Sequence, residues 1–548
     1  MFSRAKKIFR AFSPRERIVF LVASVLALVG AALLFGIFLR TSTEVVPARG
    51  GDYEEGLVGQ PSFVNPVIAQ SETDKTLVHL IFSSLKDIAS KIEPSQDGRV
   101  WRVRLKEGVV WHNGEKLTSD DVIFTVQKIQ NLDTRSPLFS SWQGIFAQRL
   151  SEREVQFTLG APYAFFETTH LANLFILPKH LFADIPPANW RLSEFNLRPV
   201  GSGPYEFASY DAEENGFLTA YRVRANRRYF GDAPLVEQIV LRFFRKKAEV
   251  LEAFNAGQIE GFPNLEPKDL EALKRPYALT RFRIPQYYAV FINQNQHLAL
   301  KEKEVRNALN LALPRDELVE EILRGFGDVA HGPLPEVIAN GKPKESHSFP
   351  AAARVLDEAG WALNDDEVRL KNIKNASITL SFALTVPETS FLTETARRLK
   401  MAWENIGARI DIHALPVSDL LDGAVKSRDY QLLLFGNILS PSFDLFSFWH
   451  SSERFYPGSN LSLYNNKEAD ALIESIKEGF DPERRKENFR KLAEIIAEEV
   501  PAIFLYSPEY LYAHINDLKG LDSSLIAEPA ERFDNIEKWH LRTRRVFK

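Results

Sequence analysis

Eleven histidines and no cysteine are present, and neither fact points to catalysis. No His-Glu-x-x-His pair sets two imidazoles on one helix face, so the spacing of a zinc site is missing. Without cysteine there is no disulfide, no iron–sulfur ligation, no thiolate nucleophile and no lipid-bearing lipobox. Neither a Gly-x-Ser-x-Gly elbow nor a Gly-x-x-x-x-Gly-Lys loop occurs. Asp120 and Asp121 are adjacent acids, but neighbouring helical positions point apart and the dipole at a helix N-terminus accounts for both. Gly201-Ser202-Gly203-Pro204-Tyr205 has the glycines of a phosphate cradle. Pro204, however, lacks the N–H a phosphate would use, and no helix follows. It predicts a turn entering a strand over residues 205–210. His112, beside Asn113-Gly114, is expected in a surface turn. These residues imply a protein that is not an enzyme and uses no metal or cofactor.

The elements around these residues read as scaffold. In Val100 to Leu105, Trp101, Val103 and Leu105 share one face and Arg102 and Arg104 the other, the two-residue period of a half-buried strand. A second strand is expected over Val109 to Trp111. Thr118 and Asp121 form an acidic capping box for a helix running to about Ile129. Val305, Ala308, Leu309 and Ala312 stripe a helix from near Lys301, which Pro314 ends before Arg315-Asp316 opens another. Phe489, Leu492, Ile495 and Ile496 stripe a helix that stops before Pro501, and Ala502 to Tyr506 reads as a buried strand. The alternation of strands and helices without repeats indicates an α/β or α+β architecture.

The stretch from Ile18 to Leu39 is 22 residues without a charge. At about 1.5 Å per residue it covers roughly 33 Å, the thickness of a bilayer core. Arg4, Lys6, Lys7, Arg10, Arg15 and Arg17 precede it against Glu16 alone, which places the N-terminus in the cytoplasm and the chain after residue 41 outside. Residues 1–17 are then a basic cytoplasmic segment, 18–39 a single transmembrane anchor and 40–51 a flexible tether, rich in Thr, Gly, Pro and Ala. A cleaved signal peptide ending at Val46-Pro47-Ala48 is the alternative. Its apolar region, though, is longer than the 7 to 15 or so residues such peptides use, and a retained anchor is expected. Beyond residue 40 the chain holds 61 basic and 71 acidic residues, a net charge of −10. An acidic ectodomain argues against nucleic acid. Arg542, Arg544, Arg545 and Lys548 read as a solvated end.

Together the landmarks form a resemblance. Asp97-Gly98, Trp101, Leu105, Gly108, Trp111-His112-Asn113-Gly114, Leu117-Thr118 and Asp120-Asp121-Val122 resemble the signature stretch of extracellular solute-binding protein family 5, the dipeptide- and oligopeptide-binding proteins of ABC importers. Leu177-Pro178-Lys179-His180, Pro199 to Tyr205, Ala253 to Glu260, Val305 to Leu309, Ala359-Gly360-Trp361 and Val500-Pro501 continue it in order, from about residue 55 to 510.

The resemblance implies an α/β, two-lobed periplasmic-binding-protein-like (type II) fold with an extra subdomain in lobe one, behind the transmembrane helix. Lobe one would comprise residues 52–285, with the subdomain at 71–199, and be completed by 500–548; lobe two would be 286–499. Two crossings, near Tyr288 to Asn293 and near Val500 to Tyr506, are the implied hinges, with Tyr288, Asn293 and Tyr506 as hinge residues. The implied function is capture of di- or oligopeptides by main-chain hydrogen bonds and hinge closure, for delivery to ABC permease subunits. A nickel chelate or oligosaccharide ligand, a sensor without transport, or a hydrolase remain alternatives. The implied cleft segment runs from Leu433 to Ser452, with Gly436, Asn437, Ser440, Asp444 and Trp449 as ligand contacts. Relatives often carry Asp-Pro-Asp-Pro there; this chain has Ser440-Pro441-Ser442-Phe443-Asp444. Asp444 is either the acid that pairs with a peptide amino group or the cap of a helix over 445–450. The neighbouring Phe443, Phe446, Phe448 and Trp449 are either ligand-stacking or core.

Overall fold

The computed structural model describes residues 13–548 except 336, 337, 339–346, 374, 375, 441, 523 and 524. Arg4, Lys6, Lys7, Arg10 and Pro441 therefore lie outside the described residues. Helix Pro14–Ser42 is 29 residues long and apolar enough, by length and composition, to cross a membrane.

The segment expected to be a flexible tether is instead a strand. Thr43–Ala48 pairs antiparallel with Arg542–Phe547 through six residue pairs, from Thr43 opposite Phe547 to Ala48 opposite Arg542. Thr43, Val45 and Val46 are β-branched and suit a strand. Their partner lies some 500 residues away, so no local signal marks the pairing.

One sheet runs through both lobes. Its order, written by strand, is Tyr205–Ala212, Leu218–Ala225, Gln238–Phe244, Asp52–Val58, Gly261–Leu265, Ala502–His514, Gln286–Ile292, Leu432–Ile438, Ser381–Pro387 and Arg409–Leu415. Ala502–His514 is the shared member. Residues 502–506 pair with Gln286–Ile292, and residues 509–514 pair with Ala278–Arg283. The thirteen residues of this one strand thus pair first with one neighbour and then with another. Between the two pairings the partner chain passes through Ile284-Pro285, opposite Ser507-Pro508. The partner of Ala502–His514 changes between Arg283 and Gln286, ahead of the 288–293 segment named as a crossing. Asn293 follows the end of strand Gln286–Ile292 and is buried, with its side-chain amide donating to the Arg428 carbonyl at 2.8 Å. Tyr288 and Tyr506 face each other on paired strands, with ring centroids 5.7 Å apart.

A separate antiparallel sheet of Ala89–Pro94, Val100–Leu105, Glu154–Thr158 and Phe146–Ser151 builds the subdomain. Trp101, Val103 and Leu105 are buried and Arg102 and Arg104 exposed, as the alternation predicts. Helix Ser119–Ile129 starts from Thr118 with the expected capping box, and the other carboxylate oxygen of Asp121 accepts the Lys179 amide at 2.9 Å. Val109 to Trp111, by contrast, forms no strand; Val110 makes a single bridge to Lys116.

His112 is not a free turn residue. Its ring takes the Gly201 amide at 3.2 Å and faces the Gly203 carbonyl at 3.2 Å. Burial holds its pKa down to about 4, so the ring is neutral where it joins subdomain to lobe one. The glycines beside it are there for space: a Cβ on Gly201 would lie 1.9 Å from the Ile81 carbonyl oxygen, and one on Gly203 would lie 2.8 Å from the same atom. Arg306 is likewise structural, its guanidinium donating to the carbonyls of Glu499 and Val500 that end helix Pro482–Glu499.

Candidate functional site

Two cavities lie between the lobes and share Leu439. The larger, about 700 Å³, is bounded by Arg283, Glu509 and Leu525 on one side and Tyr287, Val329 and Phe443 on the other. The second, about 600 Å³, is bounded by Glu72 and Lys75, by Thr169 and Asn173 of the subdomain, by Glu528 and Glu531, and by Ile438 to Ser440 of lobe two. Each is of the size that encloses a small organic ligand. Their walls are set by the crossings: Tyr287 is the second residue of its strand, and Leu439 follows strand Leu432–Ile438, with its amide bonded to the Pro285 carbonyl at 2.7 Å.

Phe443 enters the first cavity from a turn in which its amide reaches the Ser440 carbonyl at 2.9 Å. Its φ of 57° is left-handed, a conformation that costs a bulky residue energy and is tolerated where the surroundings impose it.

Of the expected contact residues, Ser440 lines the second cavity. Gly436, Asn437, Asp444 and Trp449 line neither. Gly436 backs onto Tyr288, whose Cε1 would lie 2.8 Å from an added Cβ. Trp449 is a core residue. It is fully buried, packs against Tyr464 and Phe504, and its indole N–H donates to the Tyr287 hydroxyl at 3.0 Å. The Asn437 amide donates to the same hydroxyl at 2.9 Å. Both residues thus support Tyr287 from behind, because an indole N–H and an amide need partners once buried.

Asp444 is engaged on both oxygens. Oδ1 accepts the Phe446 amide at 2.9 Å, two residues ahead of the short helix Phe446–Trp449, whose N-cap residue is Leu445. Oδ2 accepts the Tyr163 hydroxyl at 3.0 Å, a bond from the subdomain to lobe two. Around it, Phe165 packs into the lobe-two core and the Ala164 amide donates to the Lys477 carbonyl at 2.8 Å. Lys477 also stands 3.8 Å from the Phe446 ring centre. Away from the crossing strands, this second set of contacts joins the lobes.

The acids of the second cavity had no signature in the sequence, since residues 72, 528 and 531 meet only in the fold. Glu528 pairs with Lys75 at 2.8 Å, and Glu72 accepts the Tyr510 hydroxyl at 3.3 Å. Glu531 accepts the Ala527 amide at 2.6 Å, and among the described residues no cation lies within ion-pair distance of it. Burial, assisted by the charges of Asp534 and Glu528, pushes its carboxyl up to about 7 against the opposing Ala527 bond. Glu531 is held in place from below. Its neighbour Arg532 is fully buried and ion-paired with Glu55, which also accepts the Tyr512 hydroxyl at 2.6 Å.

The protein is similar in sequence to the oligopeptide-binding protein AppA of Bacillus subtilis, 27% identical over 516 residues, covering 90% of this chain and 92% of that one. It is 22% identical over 447 residues to the dipeptide-binding protein of Escherichia coli, covering 76% and 80%. The structure of the Bacillus subtilis AppA in complex with a nonapeptide matches with a TM-score of 0.67 over 91% of this chain and 100% of that chain. CtaP of Listeria monocytogenes, 23% identical, matches with a TM-score of 0.74 over 90% and 99%, which supports the two-lobed fold. The profile of the bacterial extracellular solute-binding proteins, family 5 Middle, covers residues 84–455, and the chain belongs to that family.

Proposed function

We propose that this chain binds peptides in the space between its lobes, outside the cytoplasmic membrane, and presents them to the permease of an ABC importer. The observation that carries the reading is the pair of inter-lobe cavities meeting at Leu439. Together the two cavities offer an extended peptide more room than either alone. Ligand touching both lobes stabilises the closed arrangement more than the open one, which is the condition for hinge closure. The bending points are Ile284-Pro285 and Ser507-Pro508, where the pairing of Ala502–His514 passes from one lobe's strands to the other's and the prolines remove two backbone donors.

The peptide's amino group is assigned to Glu531 of the second cavity rather than to Asp444, whose carboxylate already accepts the Phe446 amide and the Tyr163 hydroxyl. The N-terminal helix is retained as an anchor in this reading. A cut after Ala48 would fall at the end of a strand whose six residues are all paired.

Small-angle scattering of residues 43–548 tests closure: the radius of gyration is expected to fall on addition of saturating peptide. An unchanged radius alongside calorimetrically proven binding would rule the hinge out.

A further inference from the structure

We propose that the two-stranded ribbon of Thr43–Ala48 and Arg542–Phe547 seats on anionic lipid headgroups and so fixes how the binding lobes stand on the membrane. The inference rests on the reading of helix Pro14–Ser42 as a retained anchor.

Three observations carry it. First, the ribbon begins where the helix ends: the Lys548 amide donates to the Ser42 carbonyl at 3.0 Å, and Phe547 stands opposite Thr43. At about 3.3 Å per residue, the Val45–Arg545 pair lies roughly 10 Å of chain beyond Ser42. Whatever depth the helix takes, Arg545, Phe547 and Lys548 are brought to the bilayer surface with it.

Second, the ribbon has no third strand and leaves large side chains uncovered. Val45 is 55% exposed and Phe547 68%. An isolated two-stranded pair is marginal in water, and a covering surface would stabilise it.

Third, its charge identifies the cover. Arg40, Arg542, Arg544, Arg545 and Lys548 are exposed, with Glu44 as the acid among the ribbon's paired residues. The rest of the chain outside the helix is acidic. A basic patch with an exposed phenyl ring, on an otherwise acidic body and next to a membrane helix, matches a phospholipid surface carrying negative charge. Ionic attraction across that interface acts over about 8 Å at physiological salt, which selects the residues nearest the helix end.

Hydrogen exchange on the full chain in nanodiscs tests this. Amides of residues 542–548 are expected to exchange about tenfold more slowly in discs of phosphatidylcholine with 30% phosphatidylglycerol than in phosphatidylcholine alone, with the difference lost in 0.5 M salt. The double variant Arg545→Ser/Lys548→Ser should lose the lipid preference. Arg545→Lys, which gives up the 3.1 Å bond to the Thr43 hydroxyl but keeps the charge, should retain it. Equal exchange in both discs, with the chain still disc-bound, would overturn the proposal while leaving the anchor intact. Elution of the chain free of discs would overturn both.

Discussion

Replacing Arg532 with methionine is expected to destabilise lobe one by about 3–5 kcal/mol, the typical cost of leaving one member of a buried ion pair without its partner. Arg532 and Glu55 are both fully inaccessible. Glu55 also accepts the Tyr512 hydroxyl, and Tyr512 in turn is 2.5 Å from the Tyr53 hydroxyl, so the charge sits in a buried polar chain. Burial alone would lower the Arg532 pKa; the Glu55 carboxylate outweighs this and raises it, so the guanidinium is charged. The arginine also donates to the Pro529 carbonyl at 2.6 Å and lies 4.3 Å from the Phe533 ring centre. Losing it strands the Glu55 carboxylate. The double variant Glu55→Gln/Arg532→Met leaves no charge in the core and should recover part of the loss. Urea unfolding measures both. A double variant no more stable than Arg532→Met would attribute the effect to packing instead.

The second large effect concerns binding. Glu531→Gln is expected to weaken a free-amine peptide by about 2–5 kcal/mol, as for other desolvated charge pairs. That is roughly 30-fold or more in affinity. N-acetylation of the peptide should cost the wild type a similar amount and cost the Gln variant little, because either change removes the same pair. Asp444→Asn should preserve the difference between free and acetylated peptide. The reverse pattern would return the anchor to Asp444.

The pH dependence has a definite sign. In the free protein the Glu531 carboxyl is held up to about 7 by burial, and an incoming ammonium stabilises its ionised form. Binding is therefore strongest between about pH 7 and the peptide amino group's pKa of about 8, and it weakens as pH falls below 7 by up to about tenfold per unit, since ionisation of Glu531 must then be driven. The Gln variant should show none of this dependence.

How far the sequence led depends on the range of the interactions. The Val100–Leu105 strand and the Thr118–Asp121 capping box were legible because their patterns close within a few residues. Ala502 to Tyr506 was recognisable as a strand, but not its continuation to His514 through Ser507-Pro508, where a proline normally argues for a break. The change of partner along Ala502–His514, between Arg283 and Gln286, was hidden for the same reason: it depends on which residues of that strand each neighbour takes. Trp449 shows another limit, since an apolar aromatic run reads alike on a cleft wall and behind it. Only the fold puts its indole against Tyr287. The second cavity joins residues 72, 440 and 531, and no local pattern announces such a meeting.

The central claim is that the space on both sides of Leu439 holds a peptide. Its most direct test is mass spectrometry of the small molecules released by denaturing protein purified from its own host without added ligand. The account predicts a mixture of short peptides with free amino termini at near-stoichiometric total, displaced by excess synthetic peptide. Recovery of a metal chelate or an oligosaccharide in their place, at the same stoichiometry, would contradict it.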